Sequence, residues 1–336
     1  MKSSLIFAAT SKRLIAGLAF AAGTLFPGVA VNEAHAQVPG VQPESGRPGP
    51  WDHDVYLYRG TAGGSAHQIA VFERAGVPTV ARMADGRLIA AFQHFPQDDN
   101  RNFDRVAVRF SADEGTTRSR AEAIAVEGLE PGLAWPFDPT LVPLPDGRIR
   151  LYFTSNRSPD FRRSAPAIYS ALSRDGVRYA FEPGVRFALE GRLVIDCAVA
   201  LHEGVFHLIV PDNGTAEEIR EGQQRREPPR GGTGYHAVSR DGLNFTRVAD
   251  VVAPAGKRWL GNMLSDGGQL LFFGTGPGNW PLASADGESW RPATMHVHVP
   301  GPDPGAVRLR DGQWLVLVTG PPRAGTPSAR RGPQPR

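Results

Sequence analysis

The stretch that decides the fold lies between residues 133 and 181. Residues 133–155 read LAWPFDPTLVPLPDGRIRLYFTS, and residues 167–181 read AIYSALSRDGVRYAF. In the first segment Asp146-Gly147 separates two apolar runs, and Asp-Gly tolerates the positive φ angles that a tight hairpin turn requires. In the second segment a third apolar run ends at a Ser-Arg-Asp-Gly turn, and aromatic residues then open a fourth run. Four short antiparallel strands in this order predict one small sheet.

The same unit recurs along the chain. Its first turn is found at Asp85-Gly86, Asp146-Gly147, Glu203-Gly204, Asp266-Gly267 and Asp311-Gly312. Its second turn is found as SADEG at 111–115, SRDG at 173–176, SRDG at 239–242 and SADG at 284–287. The first turns are 61, 57, 63 and 45 residues apart. A fixed order with variable spacing predicts a repeated sheet with loops of different length, which is typical of a β-propeller.

The last copy of the unit is incomplete. Residues 303–319 supply only two strands, whereas two strand-like runs near the start, 55–59 and 68–73, have no unit of their own. A ring that closes on itself removes the exposed strand edges that would otherwise pair with other chains. We therefore predict an all-β protein, a five-bladed β-propeller of four-stranded antiparallel sheets, closed by its N-terminal strands.

The two ends of the chain differ from the propeller. Lys2, Lys12 and Arg13 precede an apolar run that is followed by Ala34-His35-Ala36, an order typical of a secretory signal peptide and its cleavage site. An N-terminal membrane anchor is the alternative, and Gly and Pro inside the run disfavour it. We predict a signal peptide at 1–36, a flexible lead at 37–50, the propeller domain at 51–320 and a disordered tail at 321–336. The protein is therefore expected to be exported, to the periplasm or the extracellular space.

Composition excludes several kinds of partner. Residues 37–320 contain 30 Lys and Arg against 33 Asp and Glu, so no basic surface for nucleic acid is expected. We expect no membrane span after signal cleavage, and a monomer. Cys197 is the only cysteine and lies in an apolar run, so an internal disulfide is excluded. A buried small side chain is the better interpretation of Cys197 than a nucleophile.

The Ser-x-Asp turns followed by an aromatic residue resemble the Asp-boxes of sialidases and related propellers. SADGESW at 284–290 comes nearest to that pattern, and SRDGVRYAF and SRDGLNF keep most of it. The strand openings FDPTLVPLPDG and PDPGAVRLRDG are similar to those of five-bladed glycoside hydrolases of the arabinanase and xylosidase type. The resemblance implies a secreted carbohydrate-active enzyme that hydrolyses glycosidic bonds with carboxylates in its central cavity. The Asp of each turn is interpreted as structural, because its side chain accepts backbone N–H groups and closes the turn.

Aligned on their first turns, the innermost strands of the five blades begin at one height around the axis. This position is occupied by Val77, Asp138, Asp196, Arg258 and Asp303, with Asn262 as an alternative to Arg258. Glycoside hydrolysis needs one protonated and one ionised carboxyl group, and crowding of like charges separates carboxyl pKa values in this way. Asp138, Asp196 and Asp303 are therefore the candidate catalytic residues. Turn capping and cation binding are the alternatives.

The chain departs from both resembling families in its first blade. Gly76-Val77-Pro78 stands where sialidases carry the Arg that clamps the substrate carboxylate, and where the arabinanase type carries its base Asp. The third blade has Asp196 where that type has a Glu acid. With a shifted starting blade, the resemblance implies Asp303 as the base, Asp138 as the modulator and Asp196 as the acid.

Other polar residues are expected on the same face, at the ends of second strands and in the loops that leave them, where binding sites usually lie. The candidate substrate-binding residues are His94, Asp99, Trp135, Arg157, Asp212 and Arg258. Trp135 would either stack on a sugar ring or pack between blades. No cofactor is expected, although a structural cation such as calcium in the central cavity is compatible with clustered aspartates. The alternative to an enzyme is a non-catalytic sialidase-like propeller that binds glycans or proteins.

Overall fold

Five antiparallel sheets surround one axis in the part of the chain that the computed structural model describes. That part is residues 49–323 apart from 159, 226–230, 277–280, 294–296 and 298. The prediction of a five-bladed β-propeller is therefore confirmed. The predicted signal peptide, nearly all of the lead and most of the tail lie outside the described residues.

Each blade is numbered in chain order, and its strands are given from the axis outward. Blade 1 contains Ala75–Arg82, Leu88–His94, Arg105–Ser111 and Glu122–Ala123. Blade 2 contains Phe137–Pro143, Ile149–Ser155, Ala167–Ser173, Arg178–Phe187 and Ala125–Glu127. Blade 3 contains Ala198–His202, Val205–Pro211, Thr233–Ser239 and, beside it, Thr246–Arg247 and Val251–Val252. Blade 4 contains Arg258–Asp266, Gln269–Thr275, Leu282–Ser284 and Arg291–Pro292.

Blade 5 joins the two ends of the chain, as predicted. Its inner strands are Gly305–Arg308 and Trp314–Thr319, and its outer strands are Val55–Gly60 and Ala66–Phe72. Val55 pairs with Thr319 and Gly60 pairs with Trp314 in an antiparallel ladder. The ring is thus closed by backbone hydrogen bonds, and the inner hairpin of the last copy leaves no unpaired edge beside it.

The core of the protein lies between neighbouring blades. In the described part of the chain, five hydrophobic clusters of buried residues each join two adjacent blades. This follows from the alternation of each strand, which points successive side chains to opposite faces of its sheet. Because both faces of a blade meet a neighbour, the inner strands read as nearly continuous apolar runs.

The Ser-x-Asp turns close as the sequence predicted. The Asp175 carboxylate accepts the N–H groups of Val177 and Arg178, each at 2.8 Å. The Ser173 hydroxyl oxygen accepts the N–H of Gly176 at 2.9 Å. The same pattern of backbone N–H groups on a carboxylate recurs at Asp113, Asp241 and Asp286. The carboxylates of these aspartates are therefore bound by the backbone of their own turns.

Two elements were not predicted. Ala125–Glu127 pairs in parallel with the outermost strand of blade 2, so the link between blades 1 and 2 covers that edge. The charged loop after Pro211 contains a helix, Ala216–Arg225. Its start is a capping box, because the Thr215 hydroxyl accepts the N–H of Glu218 and the Glu218 carboxylate accepts the N–H of Thr215.

The two ends of the described part of the chain contact each other. The N–H of Arg323 donates to the carbonyl oxygen of Asp52 at 2.8 Å, and its guanidinium pairs with the Asp54 carboxylate at 2.6 Å. Residues 321–323 of the predicted tail are therefore described, and the domain boundaries stay a prediction. No helix among the described residues is long and apolar enough to cross a membrane.

Candidate active site at the mouth of the ring

Four innermost strands have a residue in the left-handed backbone conformation within two residues of their first residue. The φ angles are 49° at Val77, 50° at Asp138, 61° at Asp196 and 56° at Asp303. This region is uncommon for residues other than glycine, and it is most costly for a β-branched residue such as Val77. In blades 1 and 2 the strand register shifts at this point, as at a β-bulge. A bulge re-aims side chains, and here the side chains turn toward the axis.

A threonine of the preceding blade anchors three of these positions. The Thr319 hydroxyl oxygen accepts the N–H of Val77 at 3.1 Å. Thr154 and Thr275 accept the N–H groups of Asp196 and Asp303 at 3.3 and 2.8 Å. Since each bond joins neighbouring blades, the height of the side chains around the axis is tied to the packing of the ring.

Asp138, Asp196 and Asp303 line one small cavity, as their matched register predicted. The cavity has a volume of about 10 Å³ and is also lined by Asn262 and Cys197, which is near the smallest volume that holds one water molecule. The three aspartates are 2 %, 5 % and 5 % exposed. Cys197 is buried, as predicted, and its burial raises the thiol pKa.

Asp138 and Asp196 influence each other's ionisation. The charge of Asp196 is among the causes that raise the pKa of Asp138, as is usual where carboxyl groups occupy one buried site. Among the described residues no donor reaches Asp138 Oδ2 or either carboxyl oxygen of Asp196. Burial raises the pKa of Asp196 to about 7, although Arg258 and the neighbouring Asp138 act in the opposite direction. Burial, followed by the charges of Asp196 and Asp303, holds the pKa of Asp138 well above its ordinary value.

Arg258 supplies a positive charge beside the cavity. It begins the innermost strand of blade 4 and is 6 % exposed. Burial lowers its pKa to about 10, against the opposing effect of Asp196 and Asp303, so it remains protonated at neutral pH. Burial and the charge of Asp196 raise the pKa of Asp303, and Arg258 opposes this shift. Both alternatives for blade 4, Arg258 and Asn262, therefore contribute to the site.

Two of the other predicted binding residues, His94 and Trp135, pack against neighbouring side chains outside the cavity. His94 is half-buried against Phe92, with ring centroids 5.7 Å apart. Burial and the nearby positive charge of Arg109 lower the His94 pKa to about 4. Trp135 lies under the Arg105 guanidinium, which is 4.0 Å from its ring centroid. That face of the indole is therefore not available to a sugar, and neither residue lines the cavity.

Three further candidates stabilise the loops that carry them. The Asp99 carboxylate accepts the N–H of Arg101 at 3.1 Å and the side-chain amide of Asn102 at 2.5 Å. Arg157 pairs with Glu130 and donates to the carbonyl oxygen of Pro131. Asp212 accepts the N–H of Gly214 at 2.9 Å and pairs with Arg192 at 3.5 Å. Asp99, Arg157 and Asp212 do not line the carboxylate cavity.

The sequence did not indicate Asp104 as part of the site. Asp104 is 7 % exposed, has a φ of 59°, and accepts the Gln93 side-chain amide at 2.8 Å. Its charge contributes to the raised pKa of Asp138. Blade 1, which begins with Val77, thus brings a carboxylate near the axis from a loop. The available signal was an acid placed directly before the third strand, a position that the strand alignment did not include.

The helix in the long loop supports the same region. Ile219 packs in a cluster with Phe137 and Ile195, which directly precede Asp138 and Asp196. Glu218 of the helix also pairs with Arg192 at 3.1 Å. The helix therefore packs against the residues that directly precede Asp138 and Asp196.

No group of three or more His, Cys, Asp or Glu in the described part of the chain is arranged to hold a metal ion. This includes the aspartate cavity, where the sequence was compatible with a structural cation. Arg258 already provides a positive charge beside Asp196 and Asp303, which reduces the attraction of the cavity for a cation.

Comparison with known proteins shows the fold. No family model and no curated protein matches the chain. An α-L-arabinofuranosidase from Clostridium thermocellum matches with a TM-score of 0.51 and 12 % identity, over 72 % of this chain and 80 % of that one. A Dyadobacter fermentans protein of unknown function matches with a TM-score of 0.48 and 17 % identity, over 79 % of this chain and 77 % of that one. An α-L-arabinanase from Penicillium chrysogenum matches with a TM-score of 0.46 and 13 % identity, over 76 % of this chain and 81 % of that one.

The shared feature is the propeller. The sequence-based resemblance to five-bladed propeller glycoside hydrolases is confirmed at the level of the fold. Because identities of this size show the fold alone, the chemistry of this chain depends on its own cavity.

Proposed function

We propose that this protein is a glycoside hydrolase that works through the carboxyl groups at the mouth of its ring. The observation that carries the proposal is the convergence of Asp138, Asp196 and Asp303, from three blades, on one cavity beside Arg258. Buried carboxyl groups with separated environments are the usual equipment for acid and base roles at a glycosidic bond. We further propose that it acts outside the cytoplasm, where the predicted signal peptide would direct it.

The spacing of the carboxyl groups determines which pair can flank the scissile bond. Catalytic carboxyl groups lie about 5–5.5 Å apart in retaining glycosidases and about 6.5–9.5 Å apart in inverting ones. Asp196 precedes the innermost strand of blade 3 and Asp303 precedes that of blade 5, and these blades are not neighbours in the ring. We therefore propose Asp196 and Asp303 as the pair on either side of the bond.

The proposed roles follow those that the resemblance implied. Asp196, with a pKa of about 7, is protonated in much of the population near neutral pH and serves as the general acid. Asp138, whose pKa is held well above its ordinary value, stays protonated and acts as a positioning residue. Asp303 serves as the carboxylate base; burial raises its pKa well above the ordinary value, and Arg258 is the neighbouring charge that favours its ionised form.

The proposed reaction is a hydrolysis in which the protons balance. Asp196 gives its proton to the glycosidic oxygen as the bond from that oxygen to the anomeric carbon breaks. A water molecule forms the new bond to the anomeric carbon, and its proton goes to the carboxylate of Asp303 when the enzyme inverts. Exchange with solvent then returns a proton to Asp196 and removes one from Asp303.

A specific observation favours a second candidate function. The cavity has about 10 Å³ and the three aspartates are almost fully buried, whereas a sugar ring is many times larger. Hydrolysis therefore requires side chains at the mouth to move when substrate binds. A non-catalytic propeller, which binds a glycan or a protein on its surface and uses the carboxyl cluster only for packing, needs no such movement.

Hydrolysis assays on the purified protein distinguish the two candidates. Aryl α-L-arabinofuranoside is a first substrate, chosen because a fold relative is an α-L-arabinofuranosidase, followed by neutral aryl pyranosides and arabino-oligosaccharides. We expect Asp196→Asn and Asp303→Asn to lower the rate about 10²–10⁴-fold. Asp286→Asn is the matched control, because that carboxylate closes an exposed turn, and it should leave the rate unchanged. Glycan binding without turnover, equal in all four proteins, would support the non-catalytic propeller instead.

A further inference from the structure

A second and larger cavity lies on the axis behind the aspartates. Its volume is about 260 Å³, against about 10 Å³ for the carboxylate cavity. It is lined by parts of all five innermost strands, among them Val80, Leu141, Val199 and Val307. It reaches the exposed residue Ser265 near the opposite face. Water therefore has access to the axis from the face that carries the first turns.

Asn262 is the side chain that lines both cavities. Its amide nitrogen donates to the Thr79 hydroxyl oxygen at 2.7 Å, and the two residues are 4 % and 1 % exposed. Asn262 belongs to blade 4 and Thr79 to blade 1, which are not neighbours in the ring. The same Thr79 oxygen accepts the N–H of Leu141, in blade 2, at 3.4 Å. One hydroxyl group thus joins three blades across the axis.

Blades 5 and 1 are in close contact at this level. Gly305, in blade 5, lies so near blade 1 that a Cβ atom there would be 2.7 Å from the Pro78 carbonyl oxygen and 2.9 Å from the Thr79 Cα. The close approach leaves no gap between these two blades through which water could bypass the bond between Asn262 and Thr79.

We propose that the Asn262–Thr79 hydrogen bond closes the axis of the ring and separates the aspartates from the water of the larger cavity. Asn262 and Thr79 are positioning residues in this view, since they set the solvation of the carboxyl groups. The separation is a property of the folded ring and holds whether or not the aspartates hydrolyse a glycoside.

The consequence for the carboxyl cluster follows from solvation. The titratable groups that line the cavity with Asp196 are Asp138, Asp303 and Cys197, with Arg258 beside Asp196 and Asp303 and Asp104 beside Asp138. Burial is the largest cause of the raised Asp196 pKa, because a dry environment disfavours the ionised form. If water entered from the larger cavity, it would stabilise the carboxylate and lower this pKa.

Titration of Asp196 by carboxyl-carbon NMR tests the separation directly. The label is 13C at the Asp side-chain carboxyl, and Asp196→Asn identifies the resonance. We expect Asn262→Ala to lower the Asp196 pKa by about one unit or more. Thr79→Ser, which keeps the hydroxyl acceptor, should leave that pKa within a few tenths of the parent value.

A second variant provides a test in case Asn262→Ala does not fold. Thr79→Val keeps the shape of the side chain and removes the acceptor, so we expect faster amide hydrogen exchange at Leu141 together with a lower Asp196 pKa. The proposal is overturned if a variant that unfolds cooperatively, either Asn262→Ala or Thr79→Val, shows the parent pKa at Asp196. It is also overturned if Thr79→Ser shifts the pKa as far as Thr79→Val does.

Discussion

Aspartates occupy both ends of the blades, and the two environments shift their pKa values in opposite directions. At the mouth, burial raises the pKa of Asp196 to about 7. In the turns on the opposite face, the N–H groups of Ser289 and Glu288 lower the pKa of Asp286 to about 2. The residue type is the same, and the difference lies in the partners. A carboxylate surrounded by backbone donors is held ionised, whereas one buried beside other carboxyl groups holds a proton.

The two groups of aspartates also differ in their effect on stability. The turn aspartates contribute to folding because their charge is satisfied locally. The mouth aspartates cost stability once they ionise, since desolvation and like charges oppose the carboxylate form. Strain and unsatisfied charge that persist in a fold are typical of functional sites, which is why the mouth and not the turns is the candidate for chemistry.

The largest expected effect is a pH-dependent gain of stability in Asp196→Asn. The folded-state pKa of Asp196, about 7, lies above the unfolded value of about 4. Its contribution is therefore fully present below pH 4 and is lost as the pH rises through 7. Between pH 4 and pH 8 the variant should gain on the order of 4 kcal/mol relative to the parent protein.

Urea unfolding of both proteins at the two pH values measures this gain. Burial also lowers the pKa values of His207 and His236, which makes the parent's stability rise with pH over part of the same range. These histidines are present in both proteins, so the difference between the two isolates Asp196. An equal difference at pH 4 and pH 8 would mean that Asp196 is ionised in the fold.

A carboxyl group introduced at position 77 should act like those of Asp138, Asp196 and Asp303. Val77 shares the left-handed conformation of the mouth aspartates, and Asp and Asn accept that conformation better than a β-branched residue. We expect Val77→Asp to be about 1–3 kcal/mol less stable than Val77→Asn at pH 8, because only the former adds a buried charge. The two variants should have equal urea midpoints near pH 3. Equal midpoints at pH 8 would show that this position is solvated.

A turn aspartate should show the opposite sign and the smallest effect. The Asp241 carboxylate accepts the N–H groups of Leu243 and Asn244 at 2.8 and 2.9 Å. Asp241→Ala removes this acceptor and should cost about 1 kcal/mol, or about 2–4 °C in melting temperature. The loss should be constant from pH 5 to pH 8, because the N–H groups hold the Asp241 pKa below its ordinary value. If Asp241→Ala were more stable than the parent protein at pH 8, the turn aspartates and the mouth aspartates would not differ in the sign of their effect on stability.

The sequence was sufficient for the fold because turns and strand periods are local signals. Asp146-Gly147 and its four counterparts set the register, and that register alone placed Asp138, Asp196 and Asp303 at one height. The half-unit at residues 303–319 required partners, and the strands near the start supplied them. In these parts of the chain, local pattern and tertiary structure agree.

The rest of the site depends on contacts between distant residues, which strand patterns do not carry. His94 and Gln93 both end a strand, and alternation points them to opposite faces of the sheet, so Gln93 reaches Asp104 while His94 packs on Phe92. The Trp135 face is covered by Arg105, which comes from another blade. The bond between Asn262 and Thr79 joins residues 183 positions apart, and no local signal predicts it.

The closing blade also determines when the molecule can be completed. Arg59 and Gln313, which are hydrogen-bonded in blade 5, are 254 residues apart in the chain. A ribosome that adds about 5–20 residues per second needs roughly 13–50 s to cover that distance. Until then, strand Val55–Gly60 can pair with Ala66–Phe72 but not with Trp314–Thr319. Blades 1 to 4 form an incomplete ring, and the outer faces of blades 1 and 4 are exposed to solvent. A chain that ends before the last hairpin is therefore expected to aggregate through its unpaired strand edges.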